Sequence, residues 1–216
     1  MARYSKSPPE GTLTTLHSFD GSDGIGPSDG LIQARDGNLY GTTYFGGLGD
    51  GGTAFKITPT GQLTTLHSFD QYRDGSGIVA PVVQASDGNF YGTTSRGGHY
   101  DGGTVFQMSP DGTLGWVYYF GLGSAPTAGL VQAGDGNLYG TTSNLNAGYG
   151  TIFKISPEGT LTTLHDFNGR DGTYPYAGLV LASDGNFYGT TVLGGAYGDG
   201  TVYRFGVARA CATCRP

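Results

Sequence analysis

Hydrophobic and polar residues alternate in short runs along this chain, and glycine-rich segments separate the runs. The most regular segment reads Asp-Gly-Asn-(Leu/Phe)-Tyr-Gly-Thr-Thr and follows a short apolar run, as in residues 31–34. An Asp-Gly pair between two such runs is typical of a tight turn that joins antiparallel strands. The segment recurs at intervals of 51, 48 and 49 residues and therefore predicts one repeated all-β unit. Its four copies begin at Asp36, Asp87, Asp135 and Asp184.

Two more strands complete the predicted unit. The third strands follow a glycine-rich loop and begin at Thr53, Thr104, Thr151 and Thr201. The fourth strands read Leu-Thr-Thr-Leu-His-Ser-Phe or a variant and begin at Leu13, Leu63, Leu114 and Leu161. Because short turns join successive strands, we expect a four-stranded antiparallel meander in each unit. Residues 63–74, a stretch without glycine or proline, lack apolar residues at helical spacing, so the predicted fold class is all-β.

The two ends of the repeat region predict how the units are arranged. The region starts with a fourth-type strand, residues 13–19, and its last unit stops after a third-type strand near residue 205. Pairing of these strands would close a ring, so we expect a β-propeller of four blades with four antiparallel strands each. Exchange of residues 13–19 between chains is the alternative. The expected single domain spans residues 1–206, with blades at about 29–69, 80–120, 129–167 and 178–206 plus 13–19, before a tail at 207–216.

The repeat resembles two known kinds of repeat. The meander resembles NHL-type propeller blades, in which Asp-Gly-Asn-(Leu/Phe)-Tyr joins the first two strands. The whole unit resembles the GloVer tandem repeat of secreted or surface-anchored bacterial proteins, through residues 159–167, 177–180, 184–191 and 200–205. The resemblance implies an extracellular or cell-surface location and no settled activity. Residues 1–11 lack the apolar stretch of a signal peptide.

Composition favours a folded protein rich in turns over a flexible linker. The chain has 42 glycines, but also 15 tyrosines and 11 phenylalanines, which is too much aromatic surface for a solvated segment. The net charge of −6 argues against binding to nucleic acid or to anionic membrane surfaces. No apolar run approaches the roughly 20 residues that span a bilayer, so we expect no membrane insertion.

Side chains that recur at one position of the unit are assigned to the scaffold. The aspartates of the Asp-Gly-Asn turns are expected to bond the turn backbone. A histidine on the fourth strand and a glutamine on the first strand each recur in three units, and both are expected to be structural. The alternatives are a ligand-binding or catalytic role for the histidines and a channel-lining role for the glutamines. These residues are His17, His67, His165, Gln33, Gln84 and Gln132, with Tyr118 and Leu181 in the remaining units.

Cysteine occurs only in the C-terminal tail, at Cys211 and Cys214. Two thiolates do not make a structural zinc site, which needs four ligands. A redox pair would stand at the start of a helix, and none is predicted here. We expect an incidental or disulfide-closed tail, with a redox or metal role as the alternative.

The long loops, which propeller geometry places together, carry residues that differ between units. We call this surface the long-loop face; it comprises residues 20–29, 44–52, 70–78, 95–103, 121–127, 143–150, 168–176 and 192–200. Aromatic rings that stack on sugars, beside arginine donors, are the chemistry of carbohydrate recognition. The candidate ligand-binding residues are Tyr44, Tyr72, Arg73, Arg96, His99, Tyr100, Tyr149, Arg170, Tyr174, Tyr176 and Tyr197. Space filling between adjacent loops is the alternative role of these tyrosines.

The sequence leaves three functions open. The first is non-catalytic binding of a glycan or another surface ligand by the long-loop face. The second is a structural role in which residues 13–19 link chains into oligomers or filaments. The third is a carbohydrate-active lyase or hydrolase, with His99 as base and Arg96 neutralising a substrate carboxylate. No catalytic residue, metal site or cofactor is assigned, with calcium at Asp-rich loops such as residues 20–23 as the alternative.

Overall fold

The computed structural model describes residues 11, 13–27, 29–143 and 148–207, which form fifteen strands and contain no helix. The strands are β1 (Ile32–Gln33), β2 (Leu39–Thr42), β3 (Asp50–Ile57), β4 (Leu63–Asp70), β5 (Val83–Gln84), β6 (Phe90–Thr94), β7 (Thr104–Met108), β8 (Leu114–Tyr119), β9 (Val131–Gln132), β10 (Leu138–Thr142), β11 (Thr151–Ile155), β12 (Leu161–Asp166), β13 (Val180–Leu181), β14 (Phe187–Thr191) and β15 (Thr201–Phe205). A helix able to cross a membrane is likewise absent from these residues. Cys211 and Cys214 lie outside them.

The strands form four antiparallel sheets in chain order, which we call blades 1 to 4. Blades 1, 2 and 3 each have four strands, β1 to β4, β5 to β8 and β9 to β12, and blade 4 has three, β13 to β15. Each strand pairs with the next one in the sequence, so every blade is a meander. The repeated unit and the all-β class predicted from the sequence are confirmed.

The Asp-Gly-Asn turn has the same hydrogen bonds in all four blades. In blade 1, one carboxylate oxygen of Asp36 accepts the backbone N–H of Asn38 at 3.1 Å. The other oxygen accepts the Asn38 side-chain amide at 2.7 Å and the Tyr40 hydroxyl at 2.9 Å. Gly37 has a φ of +81°, which favours glycine. The recurrent aspartates therefore hold the turn, as their recurrence predicted.

The hydrophobic core lies between adjacent blades. At each of the three joints between blades, an aromatic ring at the end of a fourth strand packs on a ring from the third strand of the next blade. Residues 13–19 make the same contact with blade 1, which we count as a fourth joint. Centroid distances at these joints run from 4.8 to 5.3 Å. The pairs are Phe19 with Phe55, Phe69 with Phe106, Phe120 with Phe153, and Phe167 with Tyr203. We call these contacts the interblade joints.

Hydrogen bonds of the recurrent histidines and glutamines reinforce the joints. His67 Nε2 lies 3.0 Å from Asp74 Oδ2, and the Asp74 carbonyl accepts the hydroxyl of Thr104 in the next blade at 2.8 Å. His17 and His165 make the same contacts with Asp23 and Asp171. The Oε1 atoms of Gln84 and Gln132 accept backbone N–H groups of Arg35 and Ser86 in the preceding blades. These side chains are structural, as predicted.

The predicted ring closure is not observed within the described residues. β15 is the outermost strand of a three-stranded sheet, and among the described residues no fourth strand pairs with it. Residues 13–19 form no strand and lie instead on blade 1, where Phe19 packs on Phe55. Within the described residues the four blades therefore form an open arc, in which residues 13–19 lie on blade 1 and β15 has no fourth strand beside it.

Candidate functional site

A cavity of about 650 Å³ opens on the long-loop face between blades 1 and 2. Residues from both blades and from the loop that joins them line it: Tyr44, Phe45, Gln71, Tyr72, Ser76, Gly77, Arg96, Gly97, Gly98, His99, Tyr100 and Asp101. We call this the Arg96 cavity. Five of the eleven candidate residues predicted from the sequence meet here, although they lie in three separate loops.

Backbone hydrogen bonds fix the loops around the cavity. Ser76 and Arg96 exchange backbone hydrogen bonds at 2.8 and 3.1 Å, which ties the interblade loop to the loop of blade 2. The N–H of Gly98 donates to the Gln71 carbonyl at 2.8 Å. Asp101, at a φ of +51°, accepts the N–H of Gly97 through its carboxylate at 2.8 Å. The Asp101 carboxylate therefore holds the loop.

Aromatic rings surround the cavity from both blades. The rings of Tyr44 and Phe45 meet edge to face at 4.3 Å. His99 packs on Tyr119 at 4.3 Å and lies beside Tyr100, whose ring centroid is 6.5 Å away. The side chains of Phe45, Tyr72 and Tyr100 are at least half exposed, so their rings can accept a planar ligand.

Arg96 contributes a free cation to this aromatic setting. Its side chain is exposed, and the three ion pairs among the described residues are all between histidine and aspartate. No side-chain hydrogen bond of Arg96 occurs in the described part of the chain either; only its backbone is bonded. A planar guanidinium with five donors suits a carboxylate or a pair of hydroxyl groups on a ligand.

Two titratable groups near the cavity, Asp74 and Tyr119, have shifted pKa values. Burial alone would raise the pKa of Asp74, but hydrogen bonds from His67 and from the Asp70 backbone outweigh it, and the pKa lies below its usual range. Burial, together with the charge of Asp74, raises the pKa of Tyr119. The Tyr119 hydroxyl thus holds its proton beside His99, and the Asp74 carboxylate is already hydrogen-bonded to His67 and to the Asp70 backbone.

The loop scaffold recurs in other blades, but the cavity side chains do not. In blade 1 the carboxylate of Asp50, also at a φ of +51°, accepts the N–H of Gly46 as Asp101 accepts that of Gly97. The loops of blades 1, 2 and 4 each have nine residues between equivalent threonines. Phe45 and Leu193 stand where blade 2 has Arg96. The combination of arginine and histidine is therefore specific to one loop, as expected for a binding site on a repeated scaffold.

A second group of candidates clusters at the joint of blades 3 and 4. The rings of Tyr174 and Tyr176 are nearly parallel, with centroids 6.1 Å apart. The Tyr174 N–H donates to the Tyr149 carbonyl at 2.9 Å, and Tyr174 has a φ of +58°. Tyr149 and Tyr176 are about half exposed. We call these three residues the tyrosine cluster.

The remaining candidates stand apart from the Arg96 cavity and from the tyrosine cluster. Arg73 and Arg170 are exposed, and their backbone N–H groups donate to the side chains of Asp70 and Asn168 in local turns. Tyr197 is 93% exposed. Phe45, Gln71 and Ser76 line the cavity but are missing from the predicted set. Of these three residues, only Gln71 has a signal in the sequence. Residues 13–20 and 63–70 are identical, but Gly21 follows the first segment and Gln71 follows the second.

The described residues offer no arrangement for metal chemistry. Groups of three or more His, Cys, Asp or Glu side chains able to hold an ion do not occur within them. His99 and Asp101 line the same cavity, but the carboxylate of Asp101 is bonded to Gly97. Asp101 is therefore engaged in holding the loop, and His99 supplies the imidazole that lines the cavity.

A family model described as the Gloeobacter/Verrucomicrobia repeat matches residues 3–132 and 121–214. The comparison with curated proteins finds no match. The family match covers nearly the whole chain, in agreement with a chain built from one kind of repeat.

Several solved structures share the fold. A gluconolactonase of Xanthomonas campestris has a TM-score of 0.54 at 12% identity, over 85% of this chain and 60% of that one. The extracellular domain of a hybrid two-component system from B. thetaiotaomicron has a TM-score of 0.51 at 16% identity, over 82% of this chain and 20% of that one. This chain thus spans less than two thirds of either protein. The likeness establishes a propeller-type fold.

Proposed function

This chain belongs to the Gloeobacter/Verrucomicrobia repeat family, and we propose that it is a non-catalytic module that binds a glycan in the Arg96 cavity. One observation carries the proposal: exposed aromatic rings from two blades surround an arginine whose guanidinium is unpaired within the described residues. Rings that stack on sugar faces supply affinity, and a few placed polar groups supply orientation. The proposed place of action is outside the cell or at its surface, where such ligands occur.

The unpaired guanidinium points to an acidic sugar. Arginine binds a carboxylate through two parallel hydrogen bonds, which a neutral sugar cannot reproduce with the same charge. A uronic acid unit at Arg96 would use the positive charge of the cavity. Neighbouring sugar units over Tyr72 and Tyr100 would use its aromatic rings. We therefore assign glycans that contain uronic acid as the ligand class.

Titration calorimetry with trigalacturonate and its neutral counterpart, galactotriose, tests this function. We expect Arg96→Ala to weaken trigalacturonate binding by at least about tenfold, or about 1.4 kcal/mol, and to leave galactotriose binding unchanged. Tyr72→Ala is expected to weaken both, because stacking does not depend on charge. Tyr197→Ala is the control, since Tyr197 is exposed and lies outside the cavity. Absence of binding by the wild-type protein, or equal binding by Arg96→Ala, would contradict the proposal.

A carbohydrate-active enzyme is the second candidate, because His99 lines the same cavity as Arg96. In that case His99 would remove the C5 proton of a uronate unit while Arg96 neutralised the adjacent carboxylate; the C4–O glycosidic bond would break and a C4=C5 double bond would form. Product formation from trigalacturonate, followed by ultraviolet absorbance and chromatography, distinguishes the two functions. The enzyme predicts turnover that His99→Ala abolishes, whereas the binding module predicts none.

A further inference from the structure

Both lateral edges of the arc expose apolar side chains that every internal joint buries. Val202 in β15 is 81% exposed, whereas its counterparts Val105 and Ile152 are 0% and 1% exposed. At the other edge Leu31 is 51% exposed, whereas its counterpart Val82 is 3% exposed. The two edges therefore expose the two surfaces that face each other within an interblade joint.

The residues that would fill the edge of β15 are present at the opposite edge. Residues 13–20 and β4 have the same sequence, Leu-Thr-Thr-Leu-His-Ser-Phe-Asp. In blade 1 this sequence forms an eight-residue strand on β3, whereas residues 13–20 form no strand. What residues 13–20 lack is a third strand to pair with, and β15 is a third strand that lacks a partner among the described residues.

Residues 13–19 are already seated as the outer strand of a preceding blade would be. Phe19 packs on Phe55 at 5.2 Å, as Phe69 packs on Phe106 at 4.8 Å in the next joint. The Asp23 carbonyl, beside His17, accepts the hydroxyl of Thr53 at 2.9 Å. One half of the joint is thus preformed, and only the sheet on its far side is missing.

An apolar cavity and the side chain of Gln33 lie at the edge where the missing sheet would pack. A cavity of about 320 Å³ separates residues 13–19 from blade 1, with Leu16, Phe19 and Leu31 in its lining. Gln33 donates to the Gly37 carbonyl as Gln84 donates to that of Gly88. The oxygen of Gln84 also accepts a backbone N–H from the preceding blade, whereas within the described residues Gln33 makes no such bond.

We infer that residues 13–19 of one copy pair with β15 of a second copy, so that chains associate head to tail. The internal registers place Phe205 opposite Leu13, Tyr203 opposite Thr15 and Val202 opposite His17 of the neighbour. The oxygen of Gln33 then accepts the N–H of Ser183, which is the counterpart of Arg35 and Ser86. Blade 4 gains its fourth strand, and the contact reproduces an internal joint.

A second copy suits this edge better than the same chain does. Docking of a neighbour leaves residues 13–19 in place on blade 1, so neither copy has to bend or lose its own joints. The interface joins two different surfaces, and such contacts produce closed rings or open chains of copies. The inference rests on the interblade joints and is independent of the Arg96 cavity.

Sedimentation velocity on the full chain and two charged variants tests the inference. We expect the mass of the wild-type protein to rise with concentration. Val202→Lys and Leu31→Lys each place a charge in one half of the joint and are expected to weaken self-association at least about tenfold. Leu48→Lys, at a fully exposed long-loop residue, is the control and should associate as the wild type does.

The decisive sample is a mixture of the two variants. Val202→Lys keeps an intact N-terminal edge and Leu31→Lys an intact β15. The mixture should therefore form a heterodimer at concentrations where each variant alone, with its weakened self-association, is monomeric. Circular dichroism checks that each variant is folded. If Leu31→Lys is not folded, Gln33→Ala, a milder change at the same edge, replaces it. A monomeric wild type at the highest concentration, or a mixture that stays monomeric, overturns the inference.

Discussion

At the scale of single residues, Tyr203 breaks the repeat in a way that affects stability. The other blades have Phe55, Phe106 and Phe153 at this position. The Tyr203 hydroxyl is buried and has no hydrogen-bond partner within the described residues, and burial raises its pKa to about 12. A buried polar group without a partner lowers stability by about 1 to 3 kcal/mol.

Tyr203→Phe should therefore raise the free energy of unfolding by about 1 kcal/mol. Tyr139→Phe is the matched control, because the Tyr139 hydroxyl donates to Asp135 at 2.8 Å and its loss should lower stability by a similar amount. Urea unfolding followed by circular dichroism measures both changes. A Tyr203→Phe protein that is less stable than the wild type would show that the hydroxyl has a partner in solution.

Recurrence in the sequence predicted the roles of many single residues. His67, Gln84 and Asp87 were assigned to the scaffold because each recurs, and all three make structural hydrogen bonds. The sequence does not reveal that Tyr203 lacks a partner, because a hydroxyl group is satisfied or not by neighbours in three dimensions. Leu181 stands where the three other units have glutamine. The sequence around Leu181 does not show which group, if any, takes over the hydrogen bonds of that glutamine.

At the scale of elements, the Asp-Gly-Asn turn links stability to pH. Hydrogen bonds from Asn186 and Tyr188 hold the pKa of Asp184 at about 2. Burial raises the pKa of Asp135, but hydrogen bonds from Asn137 and Tyr139 outweigh it and the net pKa is lowered. A carboxylate with a lowered folded-state pKa stabilises the fold above its unfolded pKa and loses this contribution as the pH falls.

The protein should therefore lose stability between about pH 4 and about pH 2, where the turn carboxylates take up protons. Asp135→Asn should lower stability at neutral pH by about 1 kcal/mol and make the loss on acidification smaller. Asp199→Asn, at an exposed loop carboxylate, should change neither. Urea midpoints across this pH range measure the effect, and a flat profile would contradict it.

Strands and turns were largely predictable, because alternation and Asp-Gly pairs are local signals. The exception is instructive: residues 13–20 and β4 share one sequence, but only β4 is a strand. Strand formation there depends on a neighbouring strand, which the local sequence does not contain. The loop that carries Arg96 was recognised as variable, but its contact with Ser76 of another loop depends on the packing of two blades.

At the scale of the whole molecule, one kind of joint recurs along the arc, and the Arg96 cavity lies between blades 1 and 2. Repetition explains why four blades pack in the same manner, and it also leaves matching surfaces at the two edges. The Arg96 cavity draws on two blades and the loop between them, so no single repeat contains the site. Sequence comparison of the repeats separated scaffold from variable residues but could not show which variable residues meet.

The proposed ligand site can be tested most directly by NMR of the imidazole groups. The chain has four histidines, of which His17, His67 and His165 contact aspartates and only His99 lines the Arg96 cavity. On titration with trigalacturonate, the His99 resonances should shift in a saturable manner while the other three stay fixed. Unchanged His99 resonances at saturating ligand, or shifts confined to the other three histidines, would contradict binding in the cavity.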